Sequence, residues 1–246
     1  MLENVLKYSE FTCGVILMLF AVIQITYKNR QFINFNIAGL YLCLSYVILS
    51  LWSFKSGLIF RVPWLLYTDM ATAFAIGPFV YFYLMTVLGH KTGPGIKYFI
   101  HFIPAIIVLA IIITDNIINN SFLIYYGKIL SGYPTYKLNP VVRAIDFISN
   151  FYMIIYFLAA IKNIHLYLGR GSHKTTKELY TVFYYMFFIL LFSFMMIIAS
   201  VTGSHILNTT AIYLLTISGV WYFIFCFRYP EFTQKAIKEA KNIRYQ

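Results

Sequence analysis

The chain has 246 residues, of which 61% are hydrophobic and only 11% charged, with a mean hydropathy of +0.74 and a formal net charge of +11. That composition excludes an ordinary soluble domain of this length, which would need far more polar surface. The bilayer is the expected solvent.

Seven mostly apolar stretches are expected as transmembrane helices, at residues 11–27, 37–54, 64–88, 98–114, 141–161, 179–201 and 211–227. Each is long enough, at about 1.5 Å per residue, to cross roughly 30 Å of hydrocarbon. None alternates with the two-residue period of a barrel strand, so the expected fold is all-α, a polytopic seven-helix bundle. Residues 1–229 form the membrane domain in this reading. Residues 230–246 form a short cytoplasmic linker helix.

The first stretch resembles a secretory signal only in length. Glu3 and Glu10 outweigh Lys7 ahead of its apolar run, and no small-x-small site precedes Lys28, so it is read as retained. Placing the N-terminus outside puts about thirteen of the Lys and Arg residues on the cytoplasmic side and about six outside, which sets an N-out, C-in orientation. The basic balance therefore reflects the positive-inside rule and attraction to anionic lipid, and it is weak evidence for nucleic-acid binding. Cys13, Cys43 and Cys226 all lie within spans, where they read as small packing residues.

The third span carries Asp69 near its outer end and Gly77-Pro78 in its middle. Proline removes a backbone hydrogen bond and collides with the carbonyl four residues back, so Gly77 and Pro78 are hinge candidates with a kink expected near Phe74, or else static packing features. Gly93-Pro94-Gly95 is a tight turn without the Lys-Ser/Thr ending of a phosphate loop. Pro104 is expected to bend the fourth span in the same way as Pro78. Residues 115–140 form the longest connection, an outer aromatic loop. It contains Asn119, which with Asn208 begins an Asn-x-Ser/Thr triplet.

The fifth span opens with Arg143, Asp146 and Asn150. With Asp69 they place four polar side chains in the outer third, where a charge is costly. Two readings stand: an outward-facing ligand pocket in which Arg143 holds an anion and the carboxylates a cation or amine, or a structural Asp69 to Arg143 pair joining two helices. No catalytic group, metal or cofactor is expected. The last span lacks a Lys for retinal, no His-Glu-x-x-His occurs, and His101 is the one histidine placed within a span, with His90, His165, His173 and His205 in loops. Ser218 has no Gly two residues before it and no His placed to pair with it.

After the last span, Pro230 starts a helix well, and Phe232, Ala236, Ala240 and Ile243 recur at helical spacing. This apolar face is read as an output surface: a homodimer contact or a docking face.

Four segments resemble a known family. Ile76-Gly77-Pro78-Phe79-Val80-Tyr81-Phe82-Tyr83 and His101-Phe102-Ile103-Pro104 are similar to the Gly-Pro-x-x-Tyr-x-Tyr and His-x-x-Pro signatures in the multi-pass sensor halves of bacterial membrane-bound AraC-type transcriptional regulators. Arg228-Tyr229-Pro230-Glu231 and the tail from Glu239 to Tyr245 resemble the linker to their helix-turn-helix domain. The resemblance implies a non-enzymatic sensor in the bacterial cytoplasmic membrane. Its partners are then the lipid bilayer and a small-molecule or membrane signal, with DNA met only through a C-terminal domain absent from this chain. The alternatives are a small secondary transporter, disfavoured by the lack of a repeat or a second matching broken span, and the sensor half of a histidine kinase.

The charge asymmetry predicts the outcome of reporter fusions. A cytoplasm-only reporter fused after Gln246 is active and one fused within residues 115–140 is silent; the opposite pattern inverts the topology.

Overall fold

The computed structural model describes residues 2–26, 32–88, 90, 93–119 and 140–168, together with scattered positions between 184 and 224. All regular structure among these residues is helical. Helix α1 is Leu2–Thr26, α2 is Phe32–Ser56, α3 is Asp69–Val87, α4 is Ile96–Ile100, α5 is Ile103–Thr114 and α6 is Pro140–Leu168. The described residues of the last two expected spans are also helical. The expected output residues Phe232, Ala236, Ala240 and Ile243 lie outside the described residues.

Three stretches, Phe32–Phe54, Asp69–Val87 and Pro140–Leu166, are long and apolar enough to cross a membrane. Their helices pack in series, α2 against α1 and α3, and α3 against α6. Helix α3 is the central member, for 61% of its apolar stretch is buried against 44% for α2 and 33% for α6. The outward faces of α5 and α6 carry Ile106, Ile107, Ile155 and Leu158, all at least half exposed. Such continuous apolar faces suit a surrounding lipid phase.

The expected spans differ from these helices mainly at their ends. Helix α1 begins well before residue 11, so Glu10, read as part of a polar leader, lies inside it and is buried. Between α2 and α3 the chain forms two 3-10 turns, Leu58–Arg61 and Pro63–Leu65, so Trp64 precedes the third helix rather than starting it. His165 is not in a loop but in the last turn of α6.

The expected fourth span is broken. Helix α4 ends at Ile100, His101 and Phe102 form a turn, and α5 starts at Ile103, with Pro104 in its first turn. Pro104 therefore bends no continuous helix. In the first turn its missing N–H has no intrahelical acceptor to lose, which makes it a helix starter. His101 accordingly sits in the turn rather than in a span. The far end of α5 passes into a π-helical turn, Asp115–Asn119.

Helix α3, in contrast, runs as one helix through Pro78. Gly77 shows why glycine stands beside it: a Cβ there would lie 3.3 Å from the Met153 Cα and 3.3 Å from the Tyr156 Cβ. The α3 and α6 backbones approach through the missing side chain, as small residues allow in membrane bundles. Around Gly93 and Gly95 an added Cβ meets nothing within 4 Å.

Replacing Gly77 by Leu forces these two helices apart and destabilises the bundle by about 1–3 kcal/mol, the usual overpacking range. Gly93→Ala stays within about 0.5 kcal/mol of the parent, as an exposed change should. Thermal unfolding in detergent checks both; equal midpoints for the two variants would remove Gly77 from the interface.

Candidate functional site

Two polar clusters follow one another along the α3 and α6 interface. The first gathers where α2 ends and where α3 and α6 begin. Asp69, the first residue of α3, is faced by the Ser50 hydroxyl of α2, by the first backbone N–H groups of its own helix and by the Asp146 carboxylate of α6. Its Oδ1 is fully shielded and accepts no hydrogen bond from any described residue. Placement at a helix N-terminus suits a carboxylate, because the unsatisfied N–H groups carry partial positive charge there.

Ser50, Thr68, Ser149 and Asn150 around it are buried, while Tyr46 and Asp146 are half-buried. Thr68 donates to the Leu65 carbonyl at 2.7 Å, and Tyr46 hydrogen-bonds the Thr68 hydroxyl. On α6, Ser149 donates to the Asp146 carbonyl at 2.8 Å. Asn150 donates through Nδ2 to that same carbonyl at 2.8 Å and to the Asp146 carboxylate at 3.2 Å. Beside this group the irregular backbone brings Tyr67 to φ 62, a left-handed conformation uncommon for a residue with a side chain. Asn116, from the π-helical turn, ties the segment down by donating to the Trp64 and Leu66 carbonyls at 3.2 and 2.8 Å.

Three of the four expected pocket residues, Asp69, Asp146 and Asn150, meet here. The expected Asp69 to Arg143 pair does not form: no cation among the described residues pairs with Asp69, and Arg143 is exposed. Arg143 lies on nearly the same face of α6 as Asn150 but about two turns earlier, in the first turn of the helix, where it is exposed.

The second cluster lies farther along, where the middle of α6 meets the turn between α4 and α5. Tyr152 donates its hydroxyl to the His101 carbonyl at 2.8 Å, Tyr156 lies 3.0 Å from the Tyr152 oxygen, and His101 Nδ1 lies 2.6 Å from the Tyr156 oxygen. Each hydroxyl has one proton. Tyr152 uses its own on the carbonyl, so Tyr156 donates to Tyr152, and the Tyr156 oxygen is left to accept from His101 Nδ1–H. This closed circuit fixes the imidazole tautomer, with the proton on Nδ1. Phe82 stacks edge-on against His101 at 5.1 Å and Tyr81 against Tyr156 at 5.8 Å. Nearby, Tyr98 donates to Asn36 Oδ1 at 3.0 Å, joining α4 to a fully buried Asn36 of α2.

The hinge candidates Gly77, Pro78 and Pro104 thus separate by role. Gly77 and Pro78 are both buried in α3, with Gly77 facing α6, while Pro104 starts the helix that follows the second cluster. The segments 76–83 and 101–104 do come together through Phe82 and His101 and through Phe79 and Phe102. Their partners on α6, Tyr152 and Tyr156, carry no motif, and only their i, i+4 spacing on an apolar helix hints at a shared task. A third buried polar contact, Tyr213 hydroxyl to Glu10 Oε1 at 3.5 Å, links α1 to the last expected span.

The circuit predicts coupled energetics. Tyr152→Phe and Tyr156→Phe each leave a half-buried polar group short of a partner and cost about 1 kcal/mol. The double variant costs less than the sum of the two, by about 0.5 kcal/mol or more. Thermal unfolding of the four proteins in detergent reads this directly; strict additivity would dissolve the circuit into independent bonds.

Comparison with protein-family models, curated proteins and solved structures gives no match for this chain, so its functional reading rests on these two clusters.

Proposed function

We propose that the chain is the sensor portion of a seven-helix, N-out and C-in protein of the bacterial cytoplasmic membrane. The acidic cluster is its signal site and the segment after residue 229 leads to a cytoplasmic output. The output in this reading is an AraC-type DNA-binding domain outside this chain. The observation that carries the proposal is that α6 belongs to both clusters: Asp146 and Asn150 serve one, Tyr152 and Tyr156 the other. Their outermost members, Asp146 and Tyr156, lie about 15 Å apart along one continuous helix.

A signal acts only through a difference in affinity between two packings. Here the first packing is the one described, with Gly77 of α3 against Met153 and Tyr156 of α6. A ligand that draws Asp69 and Asp146 together, or drives them apart, tilts α6 against α3. That motion loads the circuit at His101, because both tyrosines ride on α6. Helix α4 and its turn would then move relative to α2, through Tyr98 and Asn36. No bond is made or broken in this scheme, which is why a non-enzymatic role suits the residues at hand.

The test is transcript profiling of cells carrying the parent or the Asp69→Asn protein at matched membrane abundance. A changed output from Asp69→Asn at equal abundance is expected. Unchanged transcripts, together with solute uptake by proteoliposomes containing the chain, would replace the sensor reading with a small transporter.

A further inference from the structure

Helix α4 has no buried residue. Ile96 is 81% exposed, more than any other large apolar side chain among the described residues, and Phe99 and Ile100 are more than half exposed. At about 100° per residue these three share one face of the helix, Tyr98 lies opposite them, and Lys97, also exposed, stands on the flank. Tyr98 is the inward anchor: its hydroxyl donates to Asn36 Oδ1 at 3.0 Å, and its ring packs on Phe32 at 5.0 Å and on Phe82 at 4.7 Å. Phe32 is the first residue of α2 and Phe82 lies about one and a half turns before the end of α3, so α4 stands at the level where the helices of the bundle end.

Three large apolar side chains on one face are costly to leave in water, so the face calls for a partner. It continues across the turn at His101 into the exposed Ile103, Ile106 and Ile107 of α5, as the end of one stripe along the outside of the bundle. A second copy of the chain matches this stripe poorly. Helix contacts within membranes favour small residues that let backbones approach, whereas the stripe presents isoleucine and phenylalanine. Acyl chains accept such a surface along its whole length. At the end of the stripe, Lys97 is long enough to reach the headgroups, where an anionic phosphate complements its charge. The approach to α4, Gly93 to Gly95, is exposed and nearly bare of side chains, which leaves headgroups room beside the lysine.

We infer that α4 is an interfacial arm that seats an anionic glycerophospholipid, with its acyl chains against Ile96, Phe99 and Ile100 and its phosphate at Lys97. The leaflet concerned is the cytoplasmic one in the N-out orientation proposed above. The contact lies beside the aromatic circuit: Ile100 is followed by His101, whose carbonyl accepts from Tyr152 and whose Nδ1–H donates to Tyr156. Lipid seated on α4 therefore bears on that circuit, which gives the membrane an entry to the bundle separate from the acidic cluster. The inference goes beyond the signal-site reading and does not depend on it.

The experiment places a tryptophan on this face, Phe99→Trp, in the full chain reconstituted into phosphatidylcholine vesicles with a minor fraction of phosphatidylglycerol. The parent, with Trp52, Trp64 and Trp221, supplies the background to subtract. Emission from the added indole is expected to be quenched by brominated lipid, more strongly when the bromines lie near the headgroup than at the chain end. Brominated phosphatidylglycerol is expected to quench at a mole fraction about fivefold lower than brominated phosphatidylcholine, the preference one lysine near an anionic surface confers. Adding Lys97→Gln should abolish that difference. Should Phe99→Trp fail to insert, Ile96→Trp reports the same face. Absence of quenching overturns the proposal, since protein or water then covers α4. Stronger quenching from the chain end, equal quenching by the two lipids, or a preference that survives Lys97→Gln overturns it as well. None of these results bears on the Asp69→Asn transcript test, so the two readings fail separately.

Discussion

The close approach of α3 and α6 at Gly77 is the contact on which the rest of the described bundle depends. With hydrogen in place of a side chain, α3 lies within van der Waals range of the Met153 backbone. That spacing fixes which residues of the two helices face each other. Asp69 lies eight residues before Gly77 and Asp146 seven before Met153, so the two carboxylates fall at similar depth, roughly 10–12 Å along the interface. Tyr81 lies about one turn beyond Gly77, and Tyr156 about one turn beyond Met153, which brings their rings together at 5.8 Å. One missing Cβ thus sets the register of both clusters.

Away from that interface the chain satisfies its polar groups locally. Thr12, Thr26 and Thr86 each return their hydroxyl to the carbonyl four residues back, at 2.8 to 2.9 Å. This is the default for Ser and Thr in an apolar helix, because it asks nothing of a neighbour. Against that background the interhelical bonds stand out. Ser45 to the Gly14 carbonyl, Tyr98 to Asn36, Tyr46 to Thr68 and Tyr152 to the His101 carbonyl all reach across elements. In a low-dielectric interior such bonds specify which helices are neighbours, since every alternative packing strands the same polar atoms.

The apolar runs made the helices legible in the sequence, because backbone hydrogen bonding in lipid leaves few other structures. Helix ends were less legible. Polar residues such as Glu10 can sit inside a helix that outlasts its apolar stretch, and the rule that costs charges in membranes misplaced it. Proline was ambiguous for a physical reason: Pro78 and Pro104 look alike in sequence, yet one sits inside a helix and the other starts one, and only the turn at His101 separates the cases. Asp69, Asp146 and Asn150 were found through the cost of burying polarity. Tyr46, Ser50, Tyr152 and Tyr156 were not, since tyrosine and serine are ordinary in membrane helices and become functional candidates only through neighbours distant in sequence.

The two clusters differ in a way that assigns them different mechanical parts. At the aromatic end, each described proton of His101, Tyr152 and Tyr156 has an acceptor and the circuit closes on itself, so that end reaches its lowest energy without help. At the acidic end, Asp69 Oδ1 is shielded without a donor among the described residues and the Asp146 carboxylate lies nearby, so that end is less self-contained. A rigid helix joining a self-satisfied end to an unsatisfied one has its pivot at the first and its freedom at the second. Movement of α6 would therefore begin at Asp146 and be felt at His101 as strain on a closed set of bonds.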